Sequence, residues 1–106
     1  HFPNTDIIVV STGDRAFSYN GTWQSATGID SLIKIQAGIA AASGCSFYNL
    51  YQSMGGKNTI VQWATATPSL ANKDYVHPNI RGAEILGTRF YDALMKDYNK
   101  YKPTIK

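Results

Sequence analysis

Asp74 and His77 stand three residues apart, and Pro78-Asn79-Ile80-Arg81-Gly82 follows them where a helix should begin. A carboxylate and an imidazole on a loop at the mouth of a helix can do acid–base chemistry. The carboxylate holds the ring in one tautomer and stabilises the imidazolium. The other ring nitrogen takes a proton from a hydroxyl. A serine hydrolase needs such a pair. The spacing is short, and a plainer reading competes with it: Asp74 caps a turn and His77 is a surface residue before Pro78.

Other candidates are weaker. In Gly13-Asp14-Arg15 the guanidinium of Arg15 could hold an anionic or sugar-like substrate, with Asp14 beside it. The competing reading is a solvated arginine paired with Asp14. The residue after Gly13-Asp14 is not serine, so no Gly-Asp-Ser nucleophile motif exists here. No serine of the chain lies in that setting or in Gly-x-Ser-x-Gly. Ser11 is the least out of place, because it ends a strand on the expected active face. Trp23, Trp63, Tyr19 and Tyr48 could stack on a sugar, although aromatics are more often core. Asn20-Gly21-Thr22 fits a glycosylation sequon. Two histidines and one cysteine, widely spaced, make no metal site, and there is no glycine-rich phosphate loop.

The elements that must position these groups read as α/β. Ile7–Val10 is an apolar, mostly β-branched run that suits a strand buried on both faces of a parallel sheet. Ser11-Thr12-Gly13-Asp14 ends it. Residues 15–28 read as a long loop. Asp30 is placed to cap a helix reaching about Ser43, with Leu32, Ile35, Ile39 and Ala42 as its apolar face and Gly44 as a left-handed C-cap. Cys45–Leu50 reads as the next strand, giving a right-handed parallel βαβ unit. Residues 51–56 suggest a helical turn ended by glycines. Residues 58–66 fit helix or strand, and 68–73 loop. A last helix runs from about Asn79 to Tyr98, with Ile80, Ala83, Leu86, Phe90 and Leu94 as its stripe. Gly82 and Gly87 within it suggest close packing on the sheet. Ligands in such folds bind beyond the carboxyl ends of the strands. The loop from Ser11, the turn after Leu50 and the Asp74–His77 loop should therefore meet.

The 106 residues are 43% hydrophobic and 16% charged, which favours a folded domain over disorder. The net charge of +3 owes much to a tail of Lys96, Lys100, Lys102 and Lys106, which reads as a solvated end and not a nucleic-acid surface. Cys45 is the single cysteine, so no internal disulfide is possible, and its apolar neighbours suggest a core thiol. No run approaches the ~18 apolar residues of a membrane span, and no signal peptide is seen. The chain opens at His1 and enters a strand at once, as a piece of a longer protein would. Two strands are too few to cover two helices. Either a second chain or a missing half should complete the sheet.

Three segments together resemble the C-terminal half of the SGNH, or GDSL-type, hydrolase family, in a bacterial branch of carbohydrate and cell-wall O-acetylesterases. They are Val10–Ala16, Gly44–Tyr51 with Met54-Gly55-Gly56, and Ala71–Ala83. The resemblance covers nearly all of residues 6–95, and its last block is the most specific. It implies a three-layer, flavodoxin-like α/β fold, of which residues 1–106 are the C-terminal part with parallel strands. It implies that Asp74 orients and His77 is the general base of an esterase acting on an acylated, expectedly acetylated, carbohydrate in a periplasmic or extracellular setting. No cofactor is implied. The family's nucleophile and oxyanion-hole residues precede the strand at Ile7 and have no counterpart here. The alternatives are a non-catalytic interaction or carbohydrate-binding module that keeps this half-fold, and a regulatory half-domain that dimerises.

Overall fold

The computed structural model describes residues 3–102; His1 and Lys106 of the readings above lie outside them. The chain is mixed α/β. In order come β1 (Ile8–Val10), β2 (Ala16–Tyr19), β3 (Thr22–Ser25), α1 (Ile29–Ala42), β4 (Ser46–Tyr48), α2 (Leu50–Met54), α3 (Thr59–Thr65) and α4 (Ile80–Tyr101). β1 and β4 are parallel neighbours, in register Ile8 to Ser46, Val9 to Phe47 and Val10 to Tyr48. α1 connects them in sequence, as the apolar runs and the crossover length led us to expect.

Residues 15–28 are not a long loop. β2 and β3 form an antiparallel hairpin, with Tyr19 opposite Thr22. Its two-residue turn is Asn20-Gly21, with φ of 53° and 81°. Positive φ at both positions makes a type I′ turn, whose twist matches that of the strands it joins. The Asn-Gly pair thus has a conformational role that its reading as a sequon overlooks.

The start of α1 also differs from expectation. Gly28, at φ 88°, is its N-cap, and Asp30 lies inside the first turn. There the carboxylate faces the positive end of the helix dipole without capping it. Gly44 does adopt the left-handed conformation, at φ 70°. The buried residues of α1 are Ile29, Ile33 and Ala40, whereas the expected face of Leu32, Ile35 and Ile39 is 44–59% exposed. β1 is likewise not covered on both faces, for Ile8 and Val10 are exposed. Cys45 is only half-buried.

Residues 59–65 are helical, and α2 ends at Gly55. One core cluster joins Ala16, Met54, Ile60, Trp63, Ala64 and Ala71, with Tyr75, Ile85 and Leu86 packed against it. A second joins Ile29, Ile33 and Tyr51, with Phe47 against it. α4 begins at Asn79, whose side chain accepts from Gly82 N at 3.1 Å. Of its expected stripe, Leu86 and Phe90 are half-buried, and Ile80, Ala83 and Leu94 are exposed. The 22-residue helix spans about 33 Å at 1.5 Å per residue. The radius of gyration is 16.2 Å, against about 13 Å for a compact domain of this length. The length of α4 contributes to that difference.

The two glycines of α4 separate cleanly. A Cβ at Gly82 would run into the Leu70 carbonyl oxygen, whereas one at Gly87 would meet nothing within 4 Å. The close approach at Gly82 is to the preceding loop, not to the sheet. Gly82→Ala should therefore lower stability by about 1–3 kcal/mol through overpacking. Gly87→Ala should raise it by roughly 0.5–1 kcal/mol through helix propensity. Urea denaturation of the two variants checks both signs.

Candidate active site

The loop between α3 and α4 is held at both ends before it presents any chemistry. Lys73 Nζ donates to the Ala64 carbonyl at 2.8 Å, closing the end of α3. Asn79 N donates to the Leu70 carbonyl at 3.0 Å, and Asn79 Nδ2 donates to the Ser69 carbonyl at 2.8 Å. Ala71 and Pro78 form an isolated antiparallel bridge, and Asn72 N donates to the His77 carbonyl at 2.8 Å. Ala71 is buried in the core. The segment between these ties is a short, closed turn.

Within that turn Asp74 and His77 meet. His77 Nδ1 lies 2.6 Å from Asp74 Oδ2. The other carboxylate oxygen, Oδ1, accepts from Val76 N at 2.9 Å and from His77 N at 3.0 Å. The bond to the His77 ring and the two backbone donors hold the Asp74 carboxyl down at about 2. An ionised carboxylate can only accept, so Nδ1 must carry the proton and donate it. In the neutral ring this leaves Nε2 with its lone pair and no proton, which is the state a general base requires. Both side chains are well exposed, His77 at 71% and Asp74 at 46%. The turn-closing role is present: the same carboxylate both closes the turn and holds the ring.

Three segments meet beside this turn, as the carboxyl-end rule anticipates. A cleft of about 250 Å³ is bounded by Thr12, Gly13 and Arg15 from the loop after β1, by Leu50 and Met54 of α2, and by Val76 and Pro78 on either side of His77. Asn72, Pro78, Asn79, Ile80 and Arg81 border a second, wider groove of about 700 Å³.

Asp14 and Arg15 have other work here. Asp14 is buried, with Oδ1 accepting from Ser25 Oγ at 2.6 Å and Oδ2 accepting from Ile60 N at 3.0 Å. Its carboxylate thereby fastens the hairpin and the start of α3. Arg15 is exposed and lies over the ring of Phe17, 4.8 Å from the centroid, and the ion pairs of the described residues include none between Arg15 and Asp14. Ser11 is buried; its Oγ accepts from Leu50 N at 2.8 Å and donates to the Thr12 carbonyl at 2.9 Å. That hydroxyl tethers the start of α2 to the end of β1, which does not suit a free nucleophile.

The four aromatics divide. Trp63 is core. Tyr48 packs edge-on against Phe90 and hydrogen-bonds Ser53 Oγ at 2.7 Å. Tyr19 accepts from Thr27 N at 3.0 Å. Trp23 is 42% exposed and stacks on Tyr75, inside the Asp74–His77 turn. Sequence reasoning missed Tyr75 altogether. Among the described residues no group of three His, Cys, Asp or Glu side chains could hold a metal, and no helix is long and apolar enough to cross a membrane.

The Asp74 carboxyl titrates below its ordinary value, so the pairing adds stability above the ordinary carboxylate range. That contribution fades as pH falls toward about 2. A carboxyl ¹³C titration should place its midpoint near 2. A midpoint near the ordinary value of ~3.9 would show that the pair is not formed.

Comparison of the chain with family models, with curated proteins and with solved structures finds no match in any of the three, so the functional reading rests on the residues and their geometry.

Proposed function

We propose that this chain supplies the Asp and His of a serine carboxylic ester hydrolase of the SGNH, or GDSL, type. It would be the C-terminal part of a flavodoxin-like α/β domain. The observation that carries the reading is the 2.6 Å approach of His77 Nδ1 to Asp74 Oδ2, which leaves Nε2 as the exposed base. The sequence resemblance of residues 71–83 adds the family.

The mechanism follows from that placement. His77 Nε2 takes the proton from a serine hydroxyl supplied by the complementary half of the domain. The alkoxide attacks the ester carbonyl, and a tetrahedral oxyanion forms. The imidazolium, held by Asp74, returns the proton to the leaving sugar oxygen as the acyl-serine forms. Water, activated by the same nitrogen, then releases the acid, which we take to be acetate. The substrate is an acylated carbohydrate or cell-wall polymer, in a periplasmic or extracellular setting. The complementary half would also cover the exposed apolar residues of β1 and α1, such as Val10 and Ile39.

A second reading has one observation in its favour. Ser11 Oγ and Ser25 Oγ, the two buried serine hydroxyls, are both committed to structural hydrogen bonds. That fits a non-catalytic interaction or carbohydrate-binding module equally well.

Hydrolysis of p-nitrophenyl acetate separates the two. The chain alone should not exceed a buffer control. A longer protein that carries the complementary half should turn over and take up a serine-directed phosphonate outside residues 1–106. In that protein His77→Ala should lower kcat by roughly 10⁴-fold or more, and Asp74→Asn by somewhat less. Turnover unaffected by His77→Ala would refute the assignment. Stoichiometric labelling of Ser11 with activity would show that this chain carries its own nucleophile.

A further inference from the structure

We infer that Trp23 is a positioning residue: stacked on Tyr75, it locks the turn that brings Asp74 and His77 together. Tyr75 sits between the two, at φ 58°. A bulky residue is disfavoured there, because its Cβ crowds the following carbonyl oxygen. Such a conformation persists only where its surroundings over-determine it.

Two of the restraints are backbone bonds. Ala16 N donates to the Tyr75 carbonyl at 2.9 Å, and Tyr75 N donates to the Asn72 carbonyl at 3.2 Å. Many residues could make those bonds. The restraints that need this side chain are its packing against the core cluster of Ala16 and Ile60 and its stack on Trp23, with ring centroids 4.3 Å apart and planes at 24°. The turn at Tyr75 lets Val76 N and His77 N reach the same carboxylate oxygen, while the imidazole folds back to the other. An aromatic pair and a hydrogen-bonded carboxylate–imidazole pair therefore share one backbone conformation.

Trp23 is itself well anchored. It lies opposite Ser18 in the hairpin, two residues before Ser25. Ser25 Oγ donates to the buried carboxylate of Asp14 at 2.6 Å and accepts from Asn58 N at 2.7 Å. Ser25 N in turn donates to Asn58 Oδ1 at 2.9 Å. The stack thus links an internal polar network to a turn whose Asp74 and His77 side chains are exposed. A purely core role does not account for an indole left 42% exposed.

The inference rests on reading Asp74 and His77 as an orienting pair, but its test needs no turnover. The tautomer of His77 is read from ring ¹⁵N shifts at about pH 8, where an ordinary imidazole is neutral. With Trp23 in place, the Nδ1–H form should be the main species. In Trp23→Ala it should lose that place to the Nε2–H form. In a Tyr75→Gly background, where the ring is gone and positive φ is free, Trp23→Ala should change nothing further. Trp23→Phe, which keeps a ring face, should restore the Nδ1–H form. An unchanged tautomer in Trp23→Ala, or an equal change in both backgrounds, would overturn the inference. Trp23→Leu is read alongside in case the alanine variant does not fold; loss of the whole fold in both would make Trp23 a fold residue and also overturn it. If the unsubstituted protein lacks the Nδ1–H form, the orienting pair itself has failed, a result distinguishable from all of these.

Discussion

The buried carboxylate of Asp14 is the constraint on which the functional face depends. A charge out of water must be satisfied by hydrogen bonds, or burial costs several kcal/mol. Here the donors are Ser25 Oγ at the end of β3 and Ile60 N in the first turn of α3. Asn58 has left-handed backbone and makes no cap of its own for α3, so Asp14 supplies that cap from across the molecule. One side chain thereby fixes the hairpin, α3 and the loop after β1. Trp23, carried by that hairpin, then reaches the Asp74–His77 turn. Order runs from a buried, hydrogen-bonded carboxylate outward to an exposed carboxylate–imidazole pair.

The apolar surface matters as much as the polar network. Ile8 and Val10 on the sheet, Ile35 and Ile39 on α1, and Tyr98 on α4 are each more than 40% exposed. A groove of about 510 Å³ between the sheet and α4 is lined by Ile8, Phe47, Phe90 and Leu94. Burying apolar area at about 25 cal/mol per Å² is the main favourable term in folding. Much of it is left unused by the elements of this chain. A complementary half that adds strands to β1 and β4 would use it, and under the proposed function would also carry the serine nucleophile.

Much of the frame was legible in the sequence. The β-branched run at Ile7–Val10 and the strand near Phe47 do pair in parallel, although the cover that such a run leads one to expect on both faces is not supplied by the described residues. The Asp74–His77 pair was legible because its two side chains are local and its helix start at Asn79 is marked. Other features depended on distant partners and were not legible. Asn20-Gly21 signals a hairpin turn, but the strands beside it, Ala16–Tyr19 and Thr22–Ser25, have little alternation to announce them. Asp14 looked like a ligand-binding residue because nothing nearby in sequence reveals Ser25 or Ile60 as its partners. Tyr75 carries no signal at all, since left-handed backbone in an aromatic residue is imposed by tertiary contacts. The helical stripes of α1 and α4 follow the sequence period, yet the period cannot say which face this chain covers by itself.

The central claim is that the backbone of residues 72–79 holds a carboxylate and an imidazole so that Nδ1 carries the proton and Nε2 is free to act as base. Neutron diffraction from deuterium-exchanged crystals, grown near pH 8, locates that proton directly. The account predicts deuterium on Nδ1 of His77, directed at Asp74 Oδ2, with none on Nε2. Deuterium on Nε2 with a bare Nδ1, or a ring turned away from Asp74, would contradict it.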